Sequence, residues 1–306
     1  MTRQYSVLEF DSYSEKFAEP MGTKTKYWVE QNTTSKTIEW LFKIPRKDTG
    51  EHWAEKAAWE LARLIKLPAA QVELATLVLE DELVHGTASK TFTPGNLSLI
   101  HGNELLERIV PRYDKEKRFS QREHRISAIF DAIVEFELAE APTSSGMSAV
   151  ECFVGYIVFD GWIANVDRHH ENWGMLADSI DRIAPSYDHA SSLGRLLSDE
   201  KRTRILEGRD RLDVIDFLTR GKASGAIYPV TGEKSVPPWK LVTDLSQMGY
   251  ATVVNNWLIK IQEVAPTQLD LMFSAFGPDW LSEPARRFAT EILKTTPQLM
   301  QREMSK

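Results

Sequence analysis

Two kinds of hydrophobic pattern divide the chain. Up to about residue 92, apolar and polar residues alternate in short runs that end at Pro, Gly or acidic residues, as β-strands do. Beyond residue 97, apolar residues recur at helical spacing over longer stretches. The pattern therefore predicts an α+β fold with two lobes, a small β-rich lobe over residues 1–96 and a larger, mainly helical lobe over residues 97–306.

The individual elements can be read from the same pattern. Strands are predicted at residues 5–10, 27–30, 37–44, 72–79 and 83–92, and a helix at residues 49–65. In the second region, helices are predicted at residues 103–110, 121–140, 148–163, 213–219, 251–264 and 283–295. Ser120 is the predicted N-cap of the helix at 121–140, with Glu123 completing a capping box. Residues 173–176 and 182–184 are predicted to form two short strands.

Composition limits the classes of protein. The 306 residues are 42% hydrophobic and 26% charged, enough for a real core. A net charge of −7 argues against an extended nucleic-acid surface, so direct nucleic-acid binding is not expected. Cys152 is the single cysteine, which indicates a reducing compartment. With neither a signal peptide nor a membrane-spanning run visible, we expect a cytoplasmic protein away from membranes.

The densest polar stretch follows the helix predicted at residues 148–163. Asp167 and Asn172 lie five residues apart in it, and a further acid, Asp188, follows the two short strands. This set suits phosphoryl transfer, with Asp167 as the general base and with Asn172 and Asp188 as oxygen ligands of magnesium. The two strands are expected to bring Asn172 and Asp188 side by side.

Candidate nucleotide-binding residues lie upstream. Lys43 is inside a predicted strand, and the following helix carries Glu51, Glu55 and Glu60, any of which could face that lysine. A turn of Gly, Thr and Lys residues before the strand at 27–30 could present N–H groups and ammonium groups to phosphate. Taken alone, this turn is also compatible with an ordinary surface loop. Its members are Gly22, Thr23, Lys24 and Thr25.

The histidines of the polar stretch raise a competing interpretation. Asp167, His169, His170 and Glu171 could hold a transition metal, but adjacent histidines on a short loop rarely converge on one ion. We expect His169 to pack under the loop and support it, and His170 and Glu171 to be more exposed. No G-x-S-x-G elbow or G-x-G-x-x-G fingerprint is present, so a hydrolase triad and a dinucleotide fold find no support.

Several segments together resemble a known family. Residues 165–172 (NVDRHHEN) followed by residues 184–191 (APSYDHAS) are similar to the HipA-type serine/threonine kinases of bacterial toxin–antitoxin systems. Residues 40–45 (WLFKIP), 54–62 (AEKAAWELA) and 98–103 (SLIHGN) extend the resemblance. It covers the chain from about residue 18 onward, and the length is that expected of a short form without an extra N-terminal subdomain.

This resemblance implies a two-lobed kinase fold that uses ATP and Mg²⁺ to phosphorylate serine or threonine. It implies Lys43 as the nucleotide lysine and Glu55 as its partner, and it places Asn165 beside His169 as a support of the loop. Aminoacyl-tRNA synthetases are targets of related toxins, and a separately encoded antitoxin is the implied partner. Self-modification of the phosphate loop, known in the family, would here fall on Thr23 or Thr25.

Two alternatives stay open. The D-R-H-x-x-N pattern at residues 167–172 also occurs in phosphoinositide kinases, so a lipid or small-molecule acceptor is compatible with the same fold. A non-catalytic binding protein on a kinase scaffold is the other alternative. Lys43, Asp167, Asn172 and Asp188 are all present, which argues against a degenerate site.

Overall fold

The computed structural model confirms a mixed fold with two lobes. It describes residues 4–13, 25–95, 97–118, 120–138, 146–177, 180–220, 225–232 and 234–306. A β-sheet with one helix forms the first lobe, and helices with a second, small sheet form the other. The boundary between residues 96 and 97 stays a prediction. Within the described residues, no helix is both long and apolar enough to cross a membrane.

The first lobe is built on a five-stranded sheet of order β1-β4-β5-β3-β2. Only the β1–β4 pair is parallel. A tight turn at Glu80 and Asp81, both with positive φ, joins β4 to β5. The strands are β1 (Val7–Phe10), β2 (Lys26–Asn32), β3 (Thr37–Lys43), β4 (Val72–Leu79) and β5 (Glu82–Lys90).

Helix α1 (Glu51–Leu64) connects β3 to β4 and ties the sheet to the rest of the molecule. Its apolar face, with Trp53, Ala57 and Leu61, belongs to the same buried cluster as the helices of the second lobe. The sheet has a separate small core around Phe42 and Trp40. The helix therefore forms part of the common core even though its neighbours in sequence are strands.

The second lobe contains nine α-helices and four short strands among the described residues. The strands form a second sheet of order β6-β8-β9-β7. The strands are β6 (Ser98–His101), β7 (Glu137–Leu138), β8 (Gly174–Ala177) and β9 (Arg182–Ile183). The helices are α2 (Gly102–Ile109), α3 (Ile126–Ile133), α4 (Ala149–Ile163), α5 (Asp199–Leu206), α6 (Val214–Thr219), α7 (Val242–Leu245), α8 (Ala251–Gln262), α9 (Pro266–Ser274) and α10 (Glu283–Met304).

Helix α4 is the centre of the second lobe. Every residue in it except Glu151 is buried, as expected of a helix that is apolar on all sides. Ser148 and Glu151 form a capping box at its start, and Ala164, in the left-handed conformation with φ of 51°, ends it. Because α8 and α10 pack against it, α4 delivers the polar stretch that follows from a fixed position.

Most predicted elements are present, but one helix is wrong. The helix predicted at residues 121–140 is reduced to α3, and Ser120, with φ of 55°, does not cap it. The residues before α3 are instead held by other parts of the chain: Gln121 donates to the Asp114 carbonyl, and the His124 carbonyl accepts from Tyr228. Helices α5, α7 and α9 and strands β6 and β7 were not predicted, and α10 runs to Met304 rather than to residue 295.

Candidate active site

Lys43 connects strand β3 with helix α1 and with Asp188, and it lines a cleft between the five-stranded sheet and loops of the second lobe. It is the last residue of β3, and its Nζ lies 2.7 Å from Oε1 of Glu55 on α1 and 3.3 Å from Oδ1 of Asp188. Lys43 and Glu55 are both buried, at 7% and 2% exposure. Burial alone would lower the pKa of Lys43, but the carboxylates of Asp188 and Glu55 raise it above its usual value. The lysine is therefore held as a cation in a fixed direction.

The other two candidate acids of α1 have different partners. Glu51 accepts from the backbone and side chain of Arg46, and Glu60 pairs with Lys56. Among the three glutamates that the sequence left open, the structure therefore brings Glu55 to Lys43.

A buried ion pair holds the polar stretch after α4. Asp160, the only acid in the second half of α4, accepts two hydrogen bonds from Arg168, each 2.8 Å, and one of 2.8 Å from Asn165. Arg168 also donates to the carbonyls of Asn172 and Tyr187. Sequence reasoning missed the role of Asp160 and Arg168. A lone acid inside an apolar helix, eight residues before an arginine, was the available signal.

Asp167 is half-buried and lies beside this scaffold. Its Oδ2 accepts from Ser191 Oγ at 3.2 Å, and its backbone N–H donates to Oδ1 of Asn165 at 3.3 Å. Burial and then the negative charge of Asp188 raise the pKa of Asp167 above its usual value. A carboxylate with a raised pKa is a better proton acceptor, which suits a general base.

Asn172 and Asp188 line the same cleft as Lys43. The amide nitrogen of Asn172 donates to the Asp167 carbonyl at 2.7 Å, so its oxygen is the atom left to act as a ligand. Asp188 is in the left-handed conformation with φ of 57°. One carboxylate and one amide oxygen fit Mg²⁺, which takes few protein ligands and completes its shell with phosphates and water.

The described residues offer no comparable site for a transition metal. No group of three or more His, Cys, Asp or Glu among them could hold one. His169 is buried, and burial followed by the nearby Arg118 lowers its pKa to about 3, so the ring is neutral. The expected exposure of His170 is wrong: it is buried at 1% exposure, and its Nδ1 bonds to the Tyr113 hydroxyl at 2.7 Å. Its burial depends on packing against residues distant in sequence, such as Tyr113, and therefore could not be predicted from the local sequence.

Arg118 is a second cation in the cleft that the sequence did not indicate. Its Nε and Nη2 donate to Nε2 of His169, at 3.1 and 2.7 Å, and its Nε lies 3.3 Å from Oε2 of Glu171. The side chain lines the cleft together with Asn172 and Asp188. It comes from the irregular segment before α3, where the sequence carries no motif.

Part of the cleft wall is apolar. Trp28, Leu41, Ala70 and Leu99 line it, and the rings of Phe92 and Tyr187 lie 5.5 Å apart at its wall. Such a lining suits a flat, mostly apolar ring, with the charged groups at one end for phosphates.

The proposed phosphate loop is only partly described. Gly22, Thr23 and Lys24 lie outside the described residues. Thr25 is exposed, and its carbonyl accepts from the N–H of Ile44 at 3.1 Å. The end of the loop is therefore next to the strand that carries Lys43.

Comparisons with known proteins identify the family and the fold. The model of the HipA-like C-terminal domain matches residues 19–226. The solved structure of the Helicobacter pylori proinflammatory kinase CtkA is similar over 98% of both chains, with 17% identity and a TM-score of 0.72. HipA of Shewanella oneidensis, solved with HipB and operator DNA, is similar over 96% of this chain and 68% of its own, with 10% identity and a TM-score of 0.58. No curated protein matches the chain.

The pair of Asp160 and Arg168 generates a stability prediction. Asp160→Asn leaves the buried guanidinium of Arg168 without its counter-ion, and we expect the free energy of unfolding to fall by about 3–5 kcal/mol. Glu291→Gln is the control, because the Glu291–Lys294 pair is exposed and its loss should change the value by less than about 0.5 kcal/mol. Urea denaturation followed by circular dichroism measures both. Equal midpoints for the two variants would contradict the scaffold role.

Proposed function

Because the chain belongs to the HipA-like C-terminal domain family, we propose that it is an ATP- and Mg²⁺-dependent serine/threonine protein kinase. The observation that carries the proposal is the contact of Lys43 with both Glu55 and Asp188, at 2.7 and 3.3 Å. These contacts join a lysine on a strand, a glutamate on a helix and an aspartate suited to bind a metal ion. Kinases use this arrangement to position nucleotide phosphates.

The remaining candidate residues have complementary roles in this proposal. Lys43, oriented by Glu55, binds the nucleotide phosphates, and the loop at 22–25 covers them through Gly22, Thr23, Lys24 and Thr25. Asn172 and Asp188 would hold Mg²⁺, which neutralises charge on the phosphates when bound. His169 and Asn165 keep the loop in shape.

Asp167 is the proposed general base. It holds the acceptor hydroxyl in line with the γ-phosphate and takes its proton as the new O–P bond forms. Ser191 and the backbone contact with Asn165 fix the direction of the carboxylate. A fixed carboxylate does not lose orientation entropy at the moment of reaction.

Arg118 is the proposed cation for the transferring phosphoryl group. Its guanidinium lines the cleft beside Asn172 and Asp188 and is held by the neutral ring of His169. Guanidinium groups placed this way stabilise the charge that develops on the phosphoryl oxygens.

A toxin role is the more specific part of the proposal. HipA of Shewanella oneidensis was solved as a complex with HipB and operator DNA, named as a toxin–antitoxin system. By analogy, we propose a separately encoded antitoxin as partner and a translation component, such as an aminoacyl-tRNA synthetase, as substrate. Autophosphorylation at Thr23 or Thr25 would supply self-inhibition, and Thr25 is exposed as this requires.

Other roles are compatible with the same fold. CtkA, which is matched over 98% of both chains, is named a proinflammatory kinase, so a protein kinase without a toxin role is the second candidate. A phosphoinositide or small-molecule kinase and a non-catalytic binding protein are further alternatives.

Asp167→Asn separates an enzyme from a binding protein. The variant lacks the proton acceptor, so we expect the rate of phosphoryl transfer to fall by about 10²- to 10⁴-fold while ATP still binds. Transfer from radiolabelled ATP to protein mixtures and to lipid vesicles, measured side by side, also identifies the acceptor class. Equal turnover by the wild type and by Asp167→Asn would contradict the assignment of Asp167 as the base. Labelling of lipid rather than protein would favour the phosphoinositide alternative.

Arg118→Gln tests the second cation. Loss of the guanidinium should lower kcat by about 10²- to 10³-fold with a smaller change in ATP affinity, because its main contact is made in the transition state. Arg118→Lys should not restore the rate, since an ammonium group lacks the planar fork. Arg108→Gln, at an exposed arginine on α2, is the matched control. A purely structural Arg118 would instead lower the melting temperature and leave kcat of the folded fraction unchanged.

Growth of a bacterial host tests the toxin role. Expression of the wild type should slow growth, and expression of Asp167→Asn at the same level should not, because the effect requires phosphorylation of a host protein. Radiolabelled ATP added to a lysate then identifies the labelled protein. Unaffected growth with an enzyme that is active in vitro would reject the toxin role and leave the kinase intact.

A further inference from the structure

A second cavity, separate from the nucleotide cleft, lies next to two neighbours of Asp167. Val166, the residue before the base, lines it, and so does Ser191. The remainder of its wall is mostly apolar, with Leu196, Phe217 and Trp239 among its members. It shares no described lining residue with the cleft that holds Lys43, Asn172 and Asp188.

Short contacts connect this cavity to the proposed base. Ser191 Oγ donates to Oδ2 of Asp167 at 3.2 Å and accepts from Nη2 of Arg195 at 2.7 Å. In phosphoryl transfer the acceptor oxygen and the leaving oxygen lie roughly in line, on opposite sides of the phosphorus. An acceptor must therefore approach Asp167 from a side not occupied by the nucleotide, and the cavity is adjacent to that position.

Arg195 supplies the polar component of the cavity. It is 8% exposed, and its Nε and Nη1 have no hydrogen-bond partner among the described residues. Ser192 Oγ, also on the cavity wall, is unpartnered in the same sense. Buried donors without acceptors are costly, and such groups in a cavity indicate a bound oxygen atom.

The charges around Arg195 indicate which kind of oxygen atom can bind to it. Glu51 Oε1 lies 3.8 Å from its Nε, and the Asp167 carboxylate is close enough to raise its pKa, although burial lowers it overall. The positive charge is thus already compensated. A further carboxylate or phosphate would be repelled by the carboxylates of Glu51 and Asp167, whereas a neutral peptide carbonyl would not be repelled.

We propose that this cavity binds the acceptor polypeptide, with an apolar side chain next to the phosphorylated serine or threonine in the pocket and a backbone carbonyl on Arg195. The inference rests on the proposed kinase function and names the substrate class. The acceptor oxygen forms a bond to the γ-phosphorus, the bond from the γ-phosphorus to the β,γ-bridging oxygen of ATP breaks so that ADP leaves, and the hydroxyl proton goes to Asp167.

The test compares short peptides that contain a central serine flanked on both sides by leucine or by aspartate. Binding is measured by fluorescence anisotropy with Mg²⁺ and a non-hydrolysable ATP analogue. The leucine peptide should bind roughly 10- to 100-fold more tightly, as expected when one apolar side chain enters a fitted pocket. Phosphorylation of the two peptides with ATP should show the same order.

Leu196→Glu is the informative variant, because Leu196 lines the cavity but is 66% exposed, so the protein should still fold. We expect it to reduce the preference for the leucine peptide to less than about threefold, since a charge at the rim disfavours the apolar side chain. Leu271→Glu, at a leucine of α9 that is 59% exposed and lies outside the cavity, should keep the full preference.

Each outcome decides between possibilities. Equal affinity for both peptides, or an unchanged preference in Leu196→Glu, overturns the acceptor site. Stronger transfer to lipid vesicles than to the leucine peptide also overturns it in favour of a lipid acceptor. Titration of the ATP analogue alone reports on the kinase proposal separately: no binding there rejects the kinase, whereas binding without peptide preference rejects only the acceptor site.

Discussion

The buried pair of Asp160 and Arg168 is the interaction on which the rest of the site depends. Through it, α4, the polar stretch and the segment after β9 become one unit, because Arg168 bonds to Asp160, to the Asn172 carbonyl and to Ser186 Oγ, each at 2.8 Å. A buried ion pair contributes little net stability compared with an apolar replacement, since desolvation opposes the attraction. Here the pair restricts the backbone to few conformations, and this fixes the positions of the Asp167 and Asn172 side chains.

The acidic side chains at the cleft require cations to offset their mutual repulsion. Glu171 and Asp188 line the cleft, and burial followed by the negative charge of Asp188 raises the pKa of Asp167. Lys43 and Arg118 offset part of this repulsion, each held by a side chain that leaves it charged, Glu55 and the neutral His169 respectively.

The sequence indicated the candidate residues of the site more readily than the residues that support them. Lys43, Asp167, Asn172 and Asp188 stood out because polar residues at those spacings have few structural reasons to occur together. The choice of Glu55 over Glu51 and Glu60 depended on the register of α1 against β3, a contact between distant segments that helical periodicity cannot fix. Arg118 and the burial of His170 were missed for the same reason. The prediction of a helix at 121–140 was wrong because tertiary hydrogen bonds at Gln121 and His124 outweigh the local helix propensity.

Helix α1 contacts residues of both cavities. Gly50, immediately before the helix, donates to the Arg195 carbonyl at 2.9 Å, and Glu51 in the first turn lies 3.8 Å from Arg195 Nε. One turn later, the same helix places Glu55 on Lys43. Because a helix of this length moves as a rigid body, a shift of α1 that breaks the Lys43 contact also disturbs Arg195. Under the proposed kinase function, the lysine that would orient the nucleotide and the arginine that would bind the acceptor are therefore linked through α1.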